Sequence, residues 1–247
     1  MEKESVMDVL DTVHRYVSVW NEPSAEERRN RIHSLWASGG TTCYAVLDAC
    51  GYDAIEARVT RSWDKWLRDG HYIFRSKPDV VCHHDVVKVN WEMVTVPHGE
   101  VKAVGLSFLV LNSDGRIRRD YQFNPAANDA EDLVEEYLAA WNESNSDARR
   151  NRISALWAPD GAFLSDGAVR NGHYGIEAAA LESYDAFIAK GFVLSSAHQS
   201  HRHHNVARFK WHMLARHDGQ VTAAGSQLLV FDENRRIQFD YRFDEPV

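Results

Sequence analysis

The chain has 247 residues, of which 44% are hydrophobic and 26% charged, as in a globular protein with one large domain or two of ordinary size. The net charge of −8 disfavours nucleic-acid binding, because contact with phosphates requires a basic surface. No apolar run approaches the about 18 residues of a membrane span, and the charged N-terminus does not resemble a secretory signal, so we expect a cytoplasmic protein with no membrane partner.

The second half of the sequence repeats the first. Tyr16-Val-Ser-Val-Trp20-Asn21 returns as Tyr137-Leu-Ala-Ala-Trp141-Asn142. Further matches join Arg28–Ile32 to Arg149–Ile153, His83–Val86 to His203–Val206 and Asp120–Phe123 to Asp240–Phe243. So many matches in a nearly constant register indicate a tandem duplication. We predict one domain over residues 1–124 and a second over 131–247, joined by a polar, proline-containing linker.

Within each unit, helical patterns come first. In the first unit, apolar residues recur at helical spacing from Val6 to Trp20, which predicts an amphipathic helix. Ser24 and Glu27 are spaced as a capping box for a second helix that runs to Trp36. A third helix is predicted from Ile55 to Leu67 and ends near Gly70.

The remainder of each unit alternates with the period of a β-strand. Val87, Val89, Trp91 and Met93 share one face in the first unit, and Ala207, Phe209, Trp211 and Met213 share the corresponding face in the second. Asp114-Gly115 and Asp218-Gly219 are typical hairpin turns. The predicted fold class is therefore α+β, with about three N-terminal helices packed in a curved antiparallel sheet in each unit.

These segments resemble the NTF2-like superfamily, in its SnoaL-like and ketosteroid-isomerase-like branch. The resemblance rests on the Tyr-x-x-x-Trp-Asn motif, on Leu156–Gly161, on His203–Trp211 and on Phe231–Gln238. It implies a cone of sheet around the helices, with an apolar pocket open at one end. It also implies that two units often pair sheet to sheet, so that the tandem chain would form an internal pseudo-dimer, with further homo-oligomerisation left open.

The resemblance to the isomerases is strongest in the second unit. It implies that Tyr137 is an oxyanion donor, that Asp166 is the general base, and that Gln227 is a second donor where those enzymes carry a protonated aspartic acid. A carboxylate in an apolar pocket gains basicity and can remove a proton next to a carbonyl group. Tyrosine and glutamine can donate hydrogen bonds to the resulting enolate.

The first unit departs from this pattern, because Ala45 and Ser107 stand at the base and late-strand positions. The first site therefore looks degenerate, while Tyr16 is kept. Candidate pocket-lining residues are Phe163, Phe209, Trp211 and Tyr241 in the second unit, and Tyr16, His83, Trp91 and Ser107 in the first. Asp120 and Asp240 are interpreted either as partners of arginines on neighbouring strands or as chemical groups.

Histidines supply a further candidate. His83 and His203 share the inner face of their strands, where His203 could act as an acid or base near neutral pH. The alternative is that each histidine pair caps a strand. His198, His201, His203 and His204 are close together, but their spacing matches no standard metal motif, so no metal is predicted.

Two functions remain open. The first is an acid/base enzyme of the isomerase, cyclase or dehydratase type, which acts on a small, mostly apolar carbonyl-containing or polycyclic molecule in the second domain. The second is a non-catalytic protein that binds or carries a small hydrophobic molecule. The sequence contains no phosphate-binding loop and no dinucleotide fingerprint, so no cofactor is expected.

Overall fold

The computed structural model describes the backbone of residues 2–247 and side chains from residue 9 onward. The chain divides into two compact units, Met1–Asn124 and Pro125–Val247. Each unit has its own hydrophobic core between helices and a curved sheet. No helix in the described part of the chain is long and apolar enough to cross a membrane.

The first unit contains three helices and a seven-stranded sheet. Its elements are α1 (Glu2–Asn21), α2 (Ala25–Leu35), β1 (Trp36–Tyr44), β2 (Leu47–Cys50), α3 (Tyr52–Trp66), β3 (Tyr72–Ser76), β4 (Val81–His83), β5 (Val86–Thr95), β6 (Val101–Leu111) and β7 (Ile117–Phe123). The strand order is β2-β1-β7-β6-β5-β3, and β4 also pairs with β5.

The second unit repeats this arrangement with a six-stranded sheet. Its elements are α4 (Glu131–Asn142), α5 (Ser146–Leu156), β8 (Trp157–Ser165), β9 (Ala168–Asn171), α6 (Gly172–Ala186), a 3-10 turn (Ile188–Lys190), β10 (Phe192–His203), β11 (Val206–Ala215), β12 (Val221–Phe231) and β13 (Ile237–Glu245). The strand order is β10-β11-β12-β13-β8-β9. The continuous strand β10 takes the place of β3 and β4.

The predicted α+β fold with a curved antiparallel sheet is confirmed in each unit, apart from one parallel pairing. β1 runs parallel to β7, and β8 runs parallel to β13. The first strand of each unit enters beside the last, so that a hairpin followed by a helix connects it to the rest of the sheet. Strand alternation in a sequence carries no information about the direction of the neighbouring strand.

The helix starts follow from local capping. Ser24 accepts a hydrogen bond from the backbone N–H of Glu27 at 3.3 Å, and Asn145 accepts one from Ala148 at 2.9 Å. These contacts satisfy N–H groups that have no partner within the helix. The predicted second helix is thus confirmed, although it ends at Leu35.

The asparagine of the repeated Trp-Asn motif pairs with an edge strand. Asn142 donates to the carbonyl of Leu194 at 2.8 Å and accepts from its N–H at 2.9 Å. Asn21 makes the same two bonds to Phe74, at 2.7 and 2.8 Å. In each unit the asparagine amide therefore forms the two backbone hydrogen bonds that a neighbouring strand would form with this residue of β10 or β3. These bonds also hold the helix against the sheet.

The segment that connects the two repeats packs with the second unit. The backbone N–H of Asp129 donates to the carbonyl of Ser200 at 3.0 Å, and the N–H of Ala130 donates to the Ser200 hydroxyl at 3.1 Å. The Asp129 carboxylate accepts from the N–H of Arg202 at 3.1 Å. The end of the predicted linker is thus bonded to the outer side of β10.

Candidate functional site

A buried hydrogen-bond network lies between α4, β12 and β13 of the second domain. The Tyr137 hydroxyl donates to Oδ2 of Asp240 at 2.9 Å. The Gln227 amide donates to Oδ1 of Asp240 at 2.6 Å and to the Tyr137 hydroxyl at 2.8 Å. Trp211 donates its indole N–H to the Gln227 carbonyl at 3.2 Å. The four side chains form one connected set.

Burial controls the charge of this network. Asp240 is wholly buried, and this desolvation raises the pKa of its carboxyl group to about 7. Hydrogen bonds from Tyr137 and Gln227 and the charge of Arg242 oppose this rise. Burial and the neighbouring Asp240 charge also raise the pKa of Tyr137. At neutral pH the carboxyl group can therefore hold or release a proton while Tyr137 stays protonated.

A small cavity adjoins the network. Its volume is about 10 Å³, which holds about one water molecule. It is lined by Tyr137, Leu138, Trp141, Phe163, Leu194, Trp211, Gln227 and Arg242. The hollow of the second domain is thus largely filled by its own side chains, whereas the resemblance implied an open apolar pocket.

The indole of Trp211 occupies much of this hollow because Gly225 has no side chain. A Cβ atom added at Gly225 would lie 2.3 Å from Cζ2 of Trp211. The guanidinium group of Arg242 covers the same indole, with its central carbon 4.5 Å from the ring centroid. Trp211 and Arg242 together form one wall of the cavity.

The first domain contains a related network. The Tyr16 hydroxyl lies 3.0 and 3.2 Å from the two carboxylate oxygens of Asp120. Gln122 donates to Asp120 at 2.9 Å and to the Tyr16 hydroxyl at 3.1 Å. The Ser107 hydroxyl lies 3.1 Å from that of Tyr16 and accepts from the Trp91 indole at 3.2 Å. Burial raises the pKa of Asp120 to about 7.

The two networks use different positions for the same amide. Ser107 lies opposite Gln122 in the first sheet, and Gln227 lies opposite Arg242 in the second. The repeat aligns Ser107 with Gln227 and Gln122 with Arg242. The glutamine of the network therefore lies on the last strand in the first domain and on the strand before it in the second. In the second domain, Arg242 stands at the position that is equivalent to Gln122.

Comparison with solved structures finds matches to one half of the chain at a time. A candidate isomerase of the SnoaL-like family from Agrobacterium tumefaciens is 26% identical, covers 47% of this chain and 97% of its own, and has a TM-score of 0.44. A candidate SnoaL-like polyketide cyclase from Jannaschia is 15% identical over 47% of this chain and 85% of its own, with a TM-score of 0.39.

An NTF2-like protein of unknown function from Exiguobacterium is 12% identical over 46% of this chain and 98% of its own, with a TM-score of 0.37. No family model and no curated protein matches the sequence. Each unit has two helices, a hairpin, a third helix and a curved sheet in which the first strand lies beside the last. Both units therefore have an NTF2-like fold, with the two copies in tandem along the chain.

The assignment of Asp166 as an inward-facing base is wrong for this NTF2-like domain. Asp166 lies in the tight turn between β8 and β9, where it is exposed. Its carboxylate is therefore in contact with solvent and does not face the interior of the domain. The turn-forming role of an aspartate before Gly167 accounts for its presence.

The other residues predicted in the second domain lie in different places. Tyr137, Gln227, Phe163 and Trp211 line the cavity. Phe209 packs on the Tyr137 ring, with centroids 5.0 Å apart. Tyr241 follows Asp240 on β13 and therefore faces the opposite side of the sheet. Its prediction as a pocket residue is wrong.

The histidines lie at the ends of strands. His203 is buried at the end of β10, with its Nδ1 atom 3.0 Å from that of His204, and it does not line the cavity. Glu131 lies 3.0 Å from His198, and Asp129 lies 3.8 Å from His201. Sequence reasoning missed these carboxylate partners because they come from the preceding segment.

In the first domain, three of the predicted residues belong to the buried network and one does not. Tyr16, Trp91 and Ser107 belong to the buried network. His83 is buried at the end of β4, beside the ring of His84 at a centroid distance of 5.2 Å. The site prediction for the first domain thus names three residues of the network and omits Asp120 and Gln122.

The principal group that the site prediction missed is Asp240. The sequence did indicate this residue, because both repeats have an aspartate at the same position of the last strand. Aspartate is uncommon in strands, so its repetition there suggests a specific role. Arg242 was missed because Gln122 occupies its position in the first repeat.

Proposed function

We propose that the second domain catalyses proton transfer on a small, mostly apolar carbonyl compound, with Asp240 as the acid/base group. The observation that carries this proposal is the buried Asp240 carboxyl, whose pKa is raised to about 7 beside a cavity. A group with a pKa near the working pH is suited both to accept and to return a proton. Asp240 replaces the exposed Asp166 in this role.

Tyr137 and Gln227 supply the donors that such a reaction needs. Both already donate to Asp240, and both line the cavity. A substrate carbonyl oxygen would receive a hydrogen bond from one of them once that donor leaves its acceptor in the network, and this bond would strengthen as negative charge develops on the oxygen. The remaining wall is apolar, so it favours a substrate with a hydrocarbon or aromatic body.

Access requires movement of Trp211. A cavity of about 10 Å³ is far smaller than the roughly 300 Å³ or more of a small-molecule site. Rotation of the Trp211 indole away from Gly225 would free the space that the ring now fills. The substrate would then occupy a space already shaped for an aromatic ring.

Deuterium exchange tests the proposal. The full chain is incubated in heavy water with cyclohexanone, and incorporation next to the carbonyl is followed by NMR. Nitrobenzisoxazole, whose ring opens after proton loss from carbon, gives an optical readout. We expect catalysed exchange that Asp240→Asn lowers by about 10²- to 10⁴-fold.

The repeat provides a matched control. Asp120 is the equivalent carboxyl group of the first domain and is equally buried. Because the cavity is lined by residues of the second domain, Asp120→Asn should leave the exchange rate unchanged. Asp166→Asn should also leave it unchanged. An Asp240→Asn protein that is folded and retains the full rate would show that Asp240 is not the acid/base group.

The second candidate function is non-catalytic binding of a small hydrophobic molecule. The observation that favours it is that Tyr137, Gln227, Asp240 and Trp211 already satisfy one another. Native mass spectrometry of the purified chain would test it. A bound molecule recovered unchanged, and held equally well by the Asp240→Asn protein, would favour binding over catalysis.

A further inference from the structure

We propose that Arg242 makes the second-domain site select ligands that carry a carboxylate next to their apolar body. This inference rests on the proposed small-molecule site and specifies its substrate class. Its basis is a guanidinium group that lines the cavity and is only partly used by the protein.

The contacts of Arg242 leave one side of its guanidinium group available. Its Nε atom donates to Asp244 at 2.8 Å, and its plane covers Trp211. The two Nη atoms have no hydrogen-bond partner among the described residues. The Arg242 side chain is 27% exposed and that of Asp244 is 70% exposed, so this ion pair lies toward solvent and is weak.

The chemistry of the cavity wall favours an anion at this point. The lining residues include one cation, Arg242, and no acidic side chain. The Trp141 indole N–H has no hydrogen-bond partner in the described part of the chain, whereas Tyr137, Gln227 and Trp211 donate within the network. A ligand carboxylate could therefore accept bonds from the Nη atoms in the bidentate geometry that arginine prefers, while its apolar part replaces the Trp211 ring.

Comparison of the repeats shows that the arginines of the two networks make different contacts. In the first domain the arginine is Arg58 on α3, which donates to the carbonyl of Gln122 and lies over the Trp20 ring. The repeat aligns Arg58 with Ala179. Arg58 therefore supports the glutamine of its own network, whereas Gln227 accepts from Trp211 instead.

Ligand binding with a matched pair of probes tests the inference. Naphthoate and naphthamide have the same aromatic body and differ in charge. Their affinities are measured by calorimetry, and the Trp211 indole N–H signal in NMR reports whether the site is occupied. We expect naphthoate to bind at least about tenfold more tightly than naphthamide, as a charge-assisted bidentate contact provides.

Two of the variants that test this inference exchange residues between equivalent positions of the two repeats. Arg242→Gln introduces the residue of the first domain, and it should remove the preference for naphthoate while affinity for naphthamide stays within about twofold. Arg58→Ala introduces the residue of the second domain and should change neither affinity. Asp244→Asn removes a competing carboxylate and should tighten naphthoate binding by about two- to fivefold.

The outcomes separate this inference from the proposed function. Equal affinity of the two probes, no binding of naphthoate, or unchanged naphthoate binding by the Arg242→Gln protein would overturn the carboxylate selectivity. None of these results bears on whether Asp240→Asn abolishes exchange into cyclohexanone, which is uncharged. Conversely, loss of the proposed catalysis would leave a measured carboxylate preference intact.

Discussion

Gln122 and Gln227 stand at non-equivalent positions of the two repeats, yet each donates its amide to the tyrosine hydroxyl and to the aspartate of its own domain. The two positions face each other across a pair of antiparallel strands. An amide can therefore reach the same two acceptors from either strand. The requirement in both domains is for a donor at one point in space.

This equivalence predicts a rescue. Gln227→Ser removes a donor from the buried Asp240 and should lower the free energy of unfolding by about 1–3 kcal/mol. The double variant Gln227→Ser/Arg242→Gln introduces the serine and the glutamine of the first domain and should recover most of this loss. Urea unfolding of the two single variants and the double variant gives the coupling energy. Strictly additive effects would show that residue 242 cannot supply the amide.

The raised pKa of Asp240 predicts a pH dependence of stability. Above its ordinary value of 3.8 the unfolded carboxyl loses its proton, whereas the folded group keeps its proton up to about 7. The folded state thus binds more protons in this window, so this group lowers stability as pH rises through it. Asp240→Asn lacks the effect, and it should gain about 4 kcal/mol relative to the natural chain between about pH 4 and pH 7.

Urea unfolding at a series of pH values measures this difference. Asp120→Asn should behave similarly, since burial raises the pKa of Asp120 to about 7 as well. The natural chain, measured in parallel, provides the reference profile. Parallel curves for Asp240→Asn and the natural chain would contradict the raised pKa.

The packing of tryptophan on glycine predicts a local steric effect. A Cβ atom at Gly105 would lie 2.0 Å from Cζ2 of Trp91, so Gly105→Ala must displace the indole. We expect a loss of about 1–3 kcal/mol and a change in tryptophan fluorescence. Gly39→Ala is the control, because nothing lies within 4 Å of its added Cβ atom. Equal stability of the two variants would contradict the close packing of Trp91.

Two adjacent arginines, one buried and one exposed, should differ in their contribution to stability. Arg149 is 2% exposed and donates to the carbonyl of Glu143 at 2.8 Å, which joins α5 to the end of α4. Arg149→Ala should cost about 2–3 kcal/mol through a lost charge-assisted bond and lost packing. The adjacent Arg150 makes an exposed ion pair with Glu177, and Arg150→Ala should cost clearly less than Arg149→Ala because solvent screens such a pair. Thermal unfolding of both variants checks the order.

Much of the fold could be predicted from the sequence because the repeat shows every pattern twice. Ser24, the helical spacing from Val9 to Trp20 and the Asp-Gly turns specify helix starts and hairpins locally. The parallel pairing of β1 with β7 could not be read in this way, since it joins residues from opposite ends of the unit. Strand direction at that point depends on how the chain closes the sheet.

The candidate site was predictable in part for the same reason. Tyr137 and Gln227 were found because the family resemblance places donors at their positions. Asp166 was misplaced because a turn aspartate and a catalytic aspartate look alike in sequence, and burial alone distinguishes them. Asp240 was interpreted either as a partner of arginine or as a chemical group, and it was left out of the predicted site because its tyrosine partner lies on a helix far away in the chain.

The contacts along β10 have a consequence for self-association. β10 is the outermost strand of its sheet, and such a strand can recruit a strand from another molecule. Asn142 occupies the backbone groups of Leu194, and Asp129 occupies the carbonyl of Ser200 and the N–H of Arg202. An incoming strand would have to displace both, so these two residues protect the second domain from edge-to-edge aggregation.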